Sequence, residues 1–320
     1  MKIAVIDDYQ NAFRTLKCFP KLAAHEVVVY TDTANDVASL AEKLKDADAV
    51  VLTQQRSYFP RALIEKLPKL KLIGQTGRAA THVDLKACTE KGVVVSAGGS
   101  GNPNATAELT WGLILSSLRN LPLEVTSLKN GGWQSTLGIG VSGKTIGIYA
   151  YGKIGSIVAA VGKAFGAHVI CWGREGSTGR AKAAGFEVAN SREGFFAEAD
   201  ILSLHLPLNN DTRGIVTGED LARMKPTARL VNASRSGLIA KGALVAALKA
   251  GRPGFAAVDV YDSEPVGADE PLIKMANVTC TPHLGYVTRE SYEEYYATVV
   301  DDLVNFAAGK PSNVLNPVRW

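Results

Sequence analysis

A run of closely spaced glycines lies near the middle of the chain, in the segment Gly147-Ile148-Tyr149-Ala150-Tyr151-Gly152-Lys153-Ile154-Gly155. An apolar strand, Thr145 to Tyr149, enters this glycine turn, and an amphipathic helix leaves it and ends at Gly166. This strand–turn–helix context is what a dinucleotide-binding fingerprint requires. Gly152 would let the backbone approach a pyrophosphate, and Gly155 would let the helix pack close to the strand. The free N–H groups at the helix N-terminus would face the phosphates.

Three charged or titratable side chains further along the chain could be catalytic. Each directly follows an apolar strand: Arg235 after residues 230–233, Glu264 after 255–260, and His283 after 278–281. Taken singly, the arginine and the glutamate could be loop charges, and a single histidine is usually structural. Open α/β sheets bind ligands at the carboxyl ends of their strands. We therefore expect the three side chains to lie on one rim.

Strands alternating with helices position these residues. The first hundred residues contain apolar strands at 2–6, 27–30, 49–52, 71–75 and 93–97, with helical stretches at 37–44, 61–67 and 84–91. A second series of strands runs through 145–149, 168–172, 201–206, 230–233, 255–260 and 278–281. Such alternation is typical of parallel sheets covered on both faces. The sequence therefore predicts an α/β protein with two doubly wound parallel-sheet domains.

The central position of the glycine turn implies that another domain comes first. We expect a flavodoxin-like substrate domain made of residues 1–101 and 295–320, because the tail after a last helix at 291–307 should return to it. A Rossmann nucleotide-binding domain of residues 102–294 would be inserted between these two parts.

Composition limits the possible partners and locations. The chain has 320 residues, 46% of them hydrophobic, and a formal net charge of +4 without a basic run, so we expect no nucleic-acid partner. No apolar stretch approaches membrane-spanning length, and the first strand begins at residue 2, so neither a membrane span nor a signal peptide is expected. The four cysteines lack metal-type spacing, which predicts no metal site and free thiols in a reducing cytoplasm.

Three other motifs match in spacing but not in context. Residues 138–145 fit the phosphate-loop pattern, yet a strand follows Lys144-Thr145 where that motif needs a helix. Tyr149 and Lys153 have the spacing of short-chain dehydrogenases but straddle a strand and a turn. Asp7-Asp8 could belong to a phosphorelay receiver, but Thr53-Gln54 stand where its phosphoacceptor would be. We expect these two aspartates to be surface or capping residues.

The ordered set of motifs resembles the D-isomer-specific 2-hydroxyacid dehydrogenases, a family that includes glyoxylate and hydroxypyruvate reductases and phosphoglycerate dehydrogenases. The likeness covers nearly the whole chain. It rests on these segments: Gly152-Lys153-Ile154-Gly155; Asp200 to Leu208 with Thr212-Arg213; Leu230 to Arg235; Asp259-Val260-Tyr261 with Glu264-Pro265; and Thr281-Pro282-His283-Leu284-Gly285.

The resemblance implies an oxidoreductase that transfers a hydride between NAD(P)H and a 2-keto or D-2-hydroxy acid. His283 would donate and accept the proton, as suits a histidine near neutral pH. Glu264 would orient its ring, and Arg235 would bind the substrate carboxylate. The loop from Gln75 to Ala80 looks like the one whose backbone N–H groups cap that carboxylate, which makes Arg78, Ala79 and Ala80 substrate-binding candidates alongside Arg235 and His283.

The same resemblance implies a set of cofactor-binding positions, with Asp259 orienting the nicotinamide carboxamide. The positions are Thr106, Tyr151, Gly152, Lys153, Ile154, Gly155, Gly173, Arg174, His205, Leu206, Pro207, Thr212, Ala233, Ser234, Asp259 and Gly285. Ala150 replaces the first fingerprint glycine. Gly173 stands where NAD-preferring members carry an aspartate and Arg174 follows it, which favours NADP over NAD, although Glu175 opposes this.

Some questions stay open in the sequence. It does not name the acid or the physiological direction, and Arg56, Arg78 and Tyr286 are candidates for setting the choice of substrate. Relatives dimerise through the nucleotide domain, so we expect a homodimer formed through residues 121–134. The family also includes corepressors that keep the fold, and a nucleotide-sensing binding protein of that kind is the alternative function.

Overall fold

The computed structural model describes residues 1–34, 36–99 and 101–318. The chain forms two compact units, a first unit of Met1–Asn102 with Thr288–Trp320 and a second unit of Pro103–Val287. Arg319 and Trp320, at the end of the tail, lie outside the described residues. The sequence analysis predicted that the chain re-enters the first domain at residue 295. The first unit resumes at Thr288 because the last helix, Arg289–Ala307, is one continuous element that packs on strands of the first unit.

The first unit opens with five strands and three helices. The strands are β1 (Lys2–Ile6), β2 (Glu26–Val29), β3 (Ala49–Leu52), β4 (Leu72–Thr76) and β5 (Val94–Gly98); the helices are α1 (Val37–Leu44), α2 (Arg61–Ile64) and α3 (Leu85–Glu90). All neighbouring strands are parallel, in the order β2-β1-β3-β4-β5. This is the flavodoxin-like order.

The second unit begins with two helices and then builds a larger sheet. Its elements are α4 (Pro103–Leu118), α5 (Leu121–Lys129), β6 (Thr145–Tyr149), α6 (Lys153–Ala164), β7 (His168–Trp172), α7 (Glu175–Ala183), β8 (Glu187–Val188), α8 (Arg192–Glu198), β9 (Ile201–Leu204), α9 (Gly218–Arg223), β10 (Arg229–Asn232), α10 (Ala243–Lys249), β11 (Phe255–Val258), α11 (Pro271–Lys274) and β12 (Val278–Cys280). The strands are parallel in the order β12-β11-β10-β9-β6-β7-β8. The order reverses between β6 and β9, which is the ligand-binding switch point of a Rossmann sheet.

The last helix, α12 (Arg289–Ala307), completes the first unit. Tyr296, Val299 and Leu303 are fully buried on its inner face. Gly74 in β4 allows the close approach, since a Cβ there would lie 2.8 Å from Val299 Cγ1. The other face of the sheet packs on α1 and α2. Because helices cover both faces, the strands read as continuous apolar runs.

The prediction of two parallel-sheet α/β domains is confirmed, with small differences at element ends. Strand β9 ends at Leu204 rather than at residue 206, because the chain leaves the sheet as a loop at His205. The short strand β8 has no counterpart among the predicted strands, since two residues carry no periodicity. None of the helices in the described part of the chain has both the length and the apolar character to span a bilayer.

The structure explains two of the motifs that match in spacing but not in context, the phosphate-loop match and the Asp7-Asp8 pair. The phosphate-loop match at residues 138–145 runs directly into β6. Asp8 is buried and accepts hydrogen bonds from the N–H groups of Ala12 and Phe13, so it caps a 3-10 turn. Asp7 is also buried, against the expectation of a surface residue, and accepts a bond from Ser57 Oγ at 2.7 Å.

Candidate active site

The glycine turn has the geometry that its sequence predicts. Ala150 takes the left-handed conformation at φ 77°, and the N–H of Gly152 bonds back to its carbonyl at 3.0 Å. Helix α6 then starts at Lys153. A Cβ at Gly155 would lie only 2.4 Å from the Ala150 carbonyl oxygen, whereas a Cβ at Gly152 would meet no atom of the described residues within 4 Å. Gly155 therefore serves close packing, and Gly152 faces open space where a pyrophosphate could approach.

Two side chains of α7 hold the glycine turn in shape. Ser177 Oγ accepts a hydrogen bond from the Tyr151 N–H at 2.7 Å, and Arg180 donates to the Tyr151 carbonyl, with Nη2 at 3.1 Å. Both backbone groups of Tyr151 are thus satisfied by the next helix of the Rossmann unit. Sequence reasoning missed Ser177 and Arg180, because no spacing rule links a turn to the following helix.

The end of β7 carries no carboxylate. Gly173 lies directly after the strand, and a Cβ there would come within 3.0 Å of Ser177 Oγ. Arg174 precedes α7 and is exposed, with Nη2 3.0 Å from Asp211 Oδ2 in an exposed ion pair. Such a pair contributes little to stability, so the guanidinium is available to a ligand.

The loop after β9 is fixed by its own hydrogen bonds. The Thr212 hydroxyl is buried and donates to the Pro207 carbonyl at 2.6 Å, and the Asn209 N–H donates back to Thr212 Oγ1. His205 Nε2 is buried without a hydrogen-bond partner among the described residues. Burial lowers the pKa of His205 to about 4, so its ring is neutral at pH 7.

Arg235 follows β10 and is exposed, on a turn that several hydrogen bonds hold in place. The Ser234 hydroxyl donates to the Leu204 carbonyl at 2.8 Å, which ties the ends of β10 and β9 together. The side chain of Asn232 donates to the Arg235 carbonyl at 3.0 Å, and Arg235 Nη1 donates to the Ser234 carbonyl at 2.7 Å. The remaining guanidinium donors are left for an anion.

His283 and Glu264 form a close pair. His283 Nδ1 lies 2.5 Å from Glu264 Oε2, and Glu264 Oε1 accepts a bond from the Tyr261 N–H at 2.9 Å. Burial opposes ionisation of Glu264, but the His283 bond and charge, the Tyr261 N–H and the charge of Arg235 outweigh it, so the pKa of Glu264 is lowered. The pair leaves His283 Nε2 to exchange a proton with another molecule.

Asp259 holds the loop that carries His283. Its carboxylate is buried and accepts bonds from Thr281 Oγ1 at 2.6 Å, the Leu284 N–H at 2.7 Å and the Gly285 N–H at 2.9 Å. Burial raises the pKa of Asp259, although these bonds oppose the shift. Thr106 of α4 adds a bond to the Gly285 carbonyl at 2.9 Å. His283 itself has φ 52°, so this anchoring fixes a strained backbone position.

The other candidate residues have these surroundings. Ala233 and Tyr151 are buried, Ile154 packs against the core, Lys153 opens α6, and Leu206 lies partly buried beside the core of the second unit. The Tyr286 ring lies edge-on to His283, with centroids 5.5 Å apart.

In the first unit, the loop after β4 carries the three residues predicted to bind substrate, of which two are exposed and one is buried. Arg78 and Ala79 are exposed, whereas Ala80 belongs to the core. The Gly77 N–H bonds to the Gly98 carbonyl at 2.7 Å, which fixes the start of the loop. Arg56 is engaged within the same unit, since it donates to the Asp7 carbonyl and stacks 4.4 Å above the Tyr9 ring.

Comparison with known proteins identifies the family to which the chain belongs. The family model of the D-isomer-specific 2-hydroxyacid dehydrogenases, NAD-binding domain, matches residues 111–285. The chain belongs to this family. The resemblance that the sequence motifs predicted is thereby confirmed.

Relatives match over nearly the whole chain. A D-3-phosphoglycerate dehydrogenase of Methanocaldococcus jannaschii is 36% identical over 99% of this chain, which spans 59% of the length of that protein. A glyoxylate reductase of Aeropyrum pernix is 35% identical over 87% of this chain and 85% of its own. A solved oxidoreductase of Ralstonia solanacearum superposes with a TM-score of 0.96 at 47% identity, covering 99% of this chain and 97% of the other.

The second unit fits the NAD-type cofactor that the family implies. The open space at Gly152, the start of α6 and the unpartnered Nε2 of His205 are all compatible with a bound dinucleotide. Within the residues that the structure describes, the glycine turn would hold the pyrophosphate, and the region of Gly173 and Arg174 would meet the adenosine ribose.

Proposed function

We propose that the protein is an NAD(P)-dependent D-2-hydroxyacid dehydrogenase that reduces a 2-keto acid or oxidises the corresponding D-2-hydroxy acid. The observation that carries the proposal is the pairing of His283 with Glu264 beside Arg235, at the carboxyl ends of three neighbouring strands of a dinucleotide-binding sheet. A lone histidine could be structural, but a histidine oriented by a carboxylate and left with one free ring nitrogen is suited to proton transfer.

Each of the three side chains has a defined task in the proposed reaction. When bound, the cofactor supplies or removes the hydride at the carbonyl carbon. Arg235 binds the substrate carboxylate and polarises the carbonyl with its fixed set of donors. His283 Nε2 donates the proton to the carbonyl oxygen, and Glu264 stabilises the charged ring through Nδ1. In the oxidation the same nitrogen removes the hydroxyl proton.

Asp259 would act through the loop that it anchors. Its three hydrogen bonds place Leu284 and Gly285, and with them His283, whereas the sequence predicted contact with the nicotinamide. The structure supports the anchoring role directly. A contact with the carboxamide remains part of the proposal for the bound state.

The reaction is tested by measuring the consumption of NADPH and NADH by the purified protein against 2-keto acids led by glyoxylate and hydroxypyruvate. We expect turnover with at least one acid, and we expect His283→Ala and Arg235→Ala to remove most of it while the thermal unfolding temperature is kept. Tight cofactor binding without turnover across a broad panel would instead favour the nucleotide-sensing alternative. Near-full activity of either variant would falsify its assigned role.

We further propose a preference for NADP. The exposed Arg174 and the absence of a carboxylate at Gly173 favour the 2′-phosphate over free ribose hydroxyls. Arg174→Ala should lower kcat/KM for NADPH by about tenfold or more, as expected for loss of a charge-assisted bond, and change that for NADH little. Lys182→Ala, on the exposed face of the helix α7 that follows Arg174, is the matched charge control. A clear wild-type preference for NADH would contradict the proposal.

A homodimer is proposed on the strength of an exposed apolar surface around α5. Its side chains are Leu121, Leu123, Val125, Leu128, Trp133 and Leu137, with exposed fractions between 45% and 95%. Clusters of this kind mark interaction sites. Light scattering coupled to size exclusion should give twice the mass of 33.9 kDa, and Leu128→Asp should shift the protein to monomer. A monomeric wild type at micromolar concentration would reject the dimer.

The cytoplasm is the proposed location, since all four cysteines are free thiols and three of them, Cys18, Cys88 and Cys171, are buried.

A further inference from the structure

Tyr261 follows β11, the strand that lies between β10 and β12 in the sheet of the second unit. Arg235 follows β10 and His283 follows β12. The side chain of Tyr261 is buried in the core of the unit. A residue just past the middle one of three parallel strands is placed to bond the loops after both neighbouring strands.

Both backbone polar groups of Tyr261 bond to segments that carry candidate catalytic residues. The N–H donates to Glu264 Oε1 at 2.9 Å, and the other oxygen of that carboxylate pairs with His283. The carbonyl accepts a bond at 3.0 Å from the hydroxyl of Ser236, the residue after Arg235. The loop after β11 is therefore bonded both to the carboxylate that pairs with His283 and to the turn that carries Arg235.

The side chain of Tyr261 reaches the third segment. Its hydroxyl donates to the Thr281 carbonyl at 3.0 Å, and the same carbonyl accepts the His283 N–H at 3.1 Å. Burial, with Cys280 and two carboxylates nearby, raises the pKa of Tyr261, so the hydroxyl stays protonated and keeps this bond at neutral pH. The φ of 52° at His283 is a backbone position that persists only where surrounding bonds hold it. The Tyr261 hydroxyl supports the chain just before this position, as Asp259 supports the chain just after it.

We propose that Tyr261 and Ser236 are positioning residues for the proposed reaction. The Tyr261 hydroxyl fixes the place of His283. The Ser236 hydroxyl fixes the turn that carries Arg235. This inference rests on the proposed function, because the tasks of His283 and Arg235 belong to it. Each hydroxyl acts through a backbone carbonyl, so each can be deleted singly while the other bonds of the network stay in place.

Tyr261→Phe deletes one oxygen and keeps the ring and both backbone bonds. For a 2-keto acid that the wild type reduces, we expect kcat to fall about fivefold or more, the size expected for one lost hydrogen bond, and KM to change by less than about twofold. Tyr296→Phe is the matched control, because the Tyr296 hydroxyl is also buried and bonds to Thr53 in the first unit. It should lose stability and keep kcat. An unchanged kcat in Tyr261→Phe, or an equal fall in both variants, would overturn the role of Tyr261.

A measurement without turnover follows the position of His283 itself. In protein that carries isotopically labelled histidine and no cofactor, the nuclear magnetic resonance signal of the His283 ring Cε1–H is assigned by its absence from His283→Gln. We expect one sharp signal in the wild type and in Tyr296→Phe, and a broadened or divided signal in Tyr261→Phe, because the ring then samples more than one position. A single, unmoved signal in Tyr261→Phe would contradict the proposal, as would a divided signal in the wild type. If no keto acid is turned over, the proposed function fails, while this comparison still decides whether Tyr261 positions His283.

Ser236→Ala deletes the bond to the Tyr261 carbonyl. Because Arg235 binds the substrate carboxylate in the proposed reaction, we expect KM for the keto acid to rise about fivefold and kcat to fall by less than about twofold. Ser236→Thr, which keeps a hydroxyl, should recover most of the loss. Ser191→Ala removes a hydroxyl that caps α8 in the same unit, and it should leave both constants unchanged. A wild-type KM in Ser236→Ala would remove Ser236 from the positioning residues.

Discussion

Ala150 occupies the one position of the glycine turn where the residue type and the backbone disagree. Its φ of 77° lies in the left-handed region, which costs a residue with a Cβ about 1–2 kcal/mol. The turn keeps this conformation because the Gly152 N–H bonds to the Ala150 carbonyl and α6 packs against the same oxygen at Gly155.

Replacing Ala150 by glycine should therefore stabilise the protein. We expect the free energy of unfolding in urea to rise by up to about 1 kcal/mol, since relief of the left-handed strain exceeds the added entropy of the unfolded chain. Ala240→Gly, at an alanine without positive φ, is the control and should lose up to about 1 kcal/mol. Equal losses in both variants would show that Ala150 is unstrained.

At the residue scale, the spacing of residues within motifs predicted those site residues that belong to a local pattern. The positions of Gly152, Gly155 and His283 follow from motifs that name residue types at fixed offsets. The bonds of Ser177 and Arg180 to Tyr151 join residues 26 and 29 positions apart and depend on how α7 lies against the turn. No local pattern in the sequence reports such a contact, so these supporting residues could not be predicted.

At the scale of elements, Arg192 ties three parts of the second unit together. From the start of α8 it bonds Asp220 of α9 through Nε at 2.8 Å and Nη2 at 2.7 Å, and Tyr149 OH of β6 through Nη1 at 3.1 Å. Asp220 also accepts the N–H of Thr217 in a capping box. Burial opposes ionisation of Asp220, but the bonds from Arg192 and Thr217 outweigh it and lower its pKa.

Asp220→Asn should destabilise the second unit in a pH-dependent way. Because the folded pKa lies below the unfolded one, the ionised carboxylate stabilises the fold above about pH 4, and this contribution is lost as the pH falls through the lower folded value. We expect a loss of about 2–3 kcal/mol at pH 7, shrinking toward pH 3. Urea unfolding followed by tryptophan fluorescence measures this, since Trp111, Trp133 and Trp172 all lie in the second unit.

Asp301→Asn removes an exposed ion pair with Lys21 and provides the comparison. It should change stability by less than about 0.5 kcal/mol. A loss for Asp220→Asn that stays constant between pH 7 and pH 3 would contradict the ionised pair.

The elements themselves were largely predictable because long apolar strands and amphipathic helices have clear periods. The ends of β9 and β10 differ from the predicted ones by one or two residues, since apolar loop residues such as Leu206 continue the pattern after the hydrogen bonding of the sheet has ended.

At the scale of the whole molecule, the first unit is discontinuous and the second is continuous. Four side chains of α12, namely Tyr296, Val299, Val300 and Leu303, are almost fully buried in the first unit. The tail adds Asn316, whose side chain accepts the Val95 N–H at 2.8 Å. The position of the glycine turn in the sequence indicated that one domain interrupts the other. Only the packing in the structure shows how many buried residues of the first unit come from the C-terminal part of the chain.

The two units should accordingly behave differently as fragments. Pro103–Val287 should unfold cooperatively, because its sheet and both of its helical layers are complete. Met1–Asn102 should show no cooperative transition, since it lacks α12, and a Gly/Ser linker to residues 288–318 should restore one. Thermal unfolding followed by circular dichroism tests the two fragments and the linked form. A cooperative unfolding transition of Met1–Asn102 alone would contradict the prediction.

The late arrival of α12 also has a consequence during biosynthesis. At about 5–20 residues per second a ribosome needs roughly 10 to 40 s to make the segment from Pro103 to Val287. Throughout that time the sheet of the first unit has emerged while the surface that α12 will cover, around Gly74 and Gly98, is bare. The nascent chain therefore presents an apolar sheet face for tens of seconds, which makes it a substrate for chaperones that bind during translation.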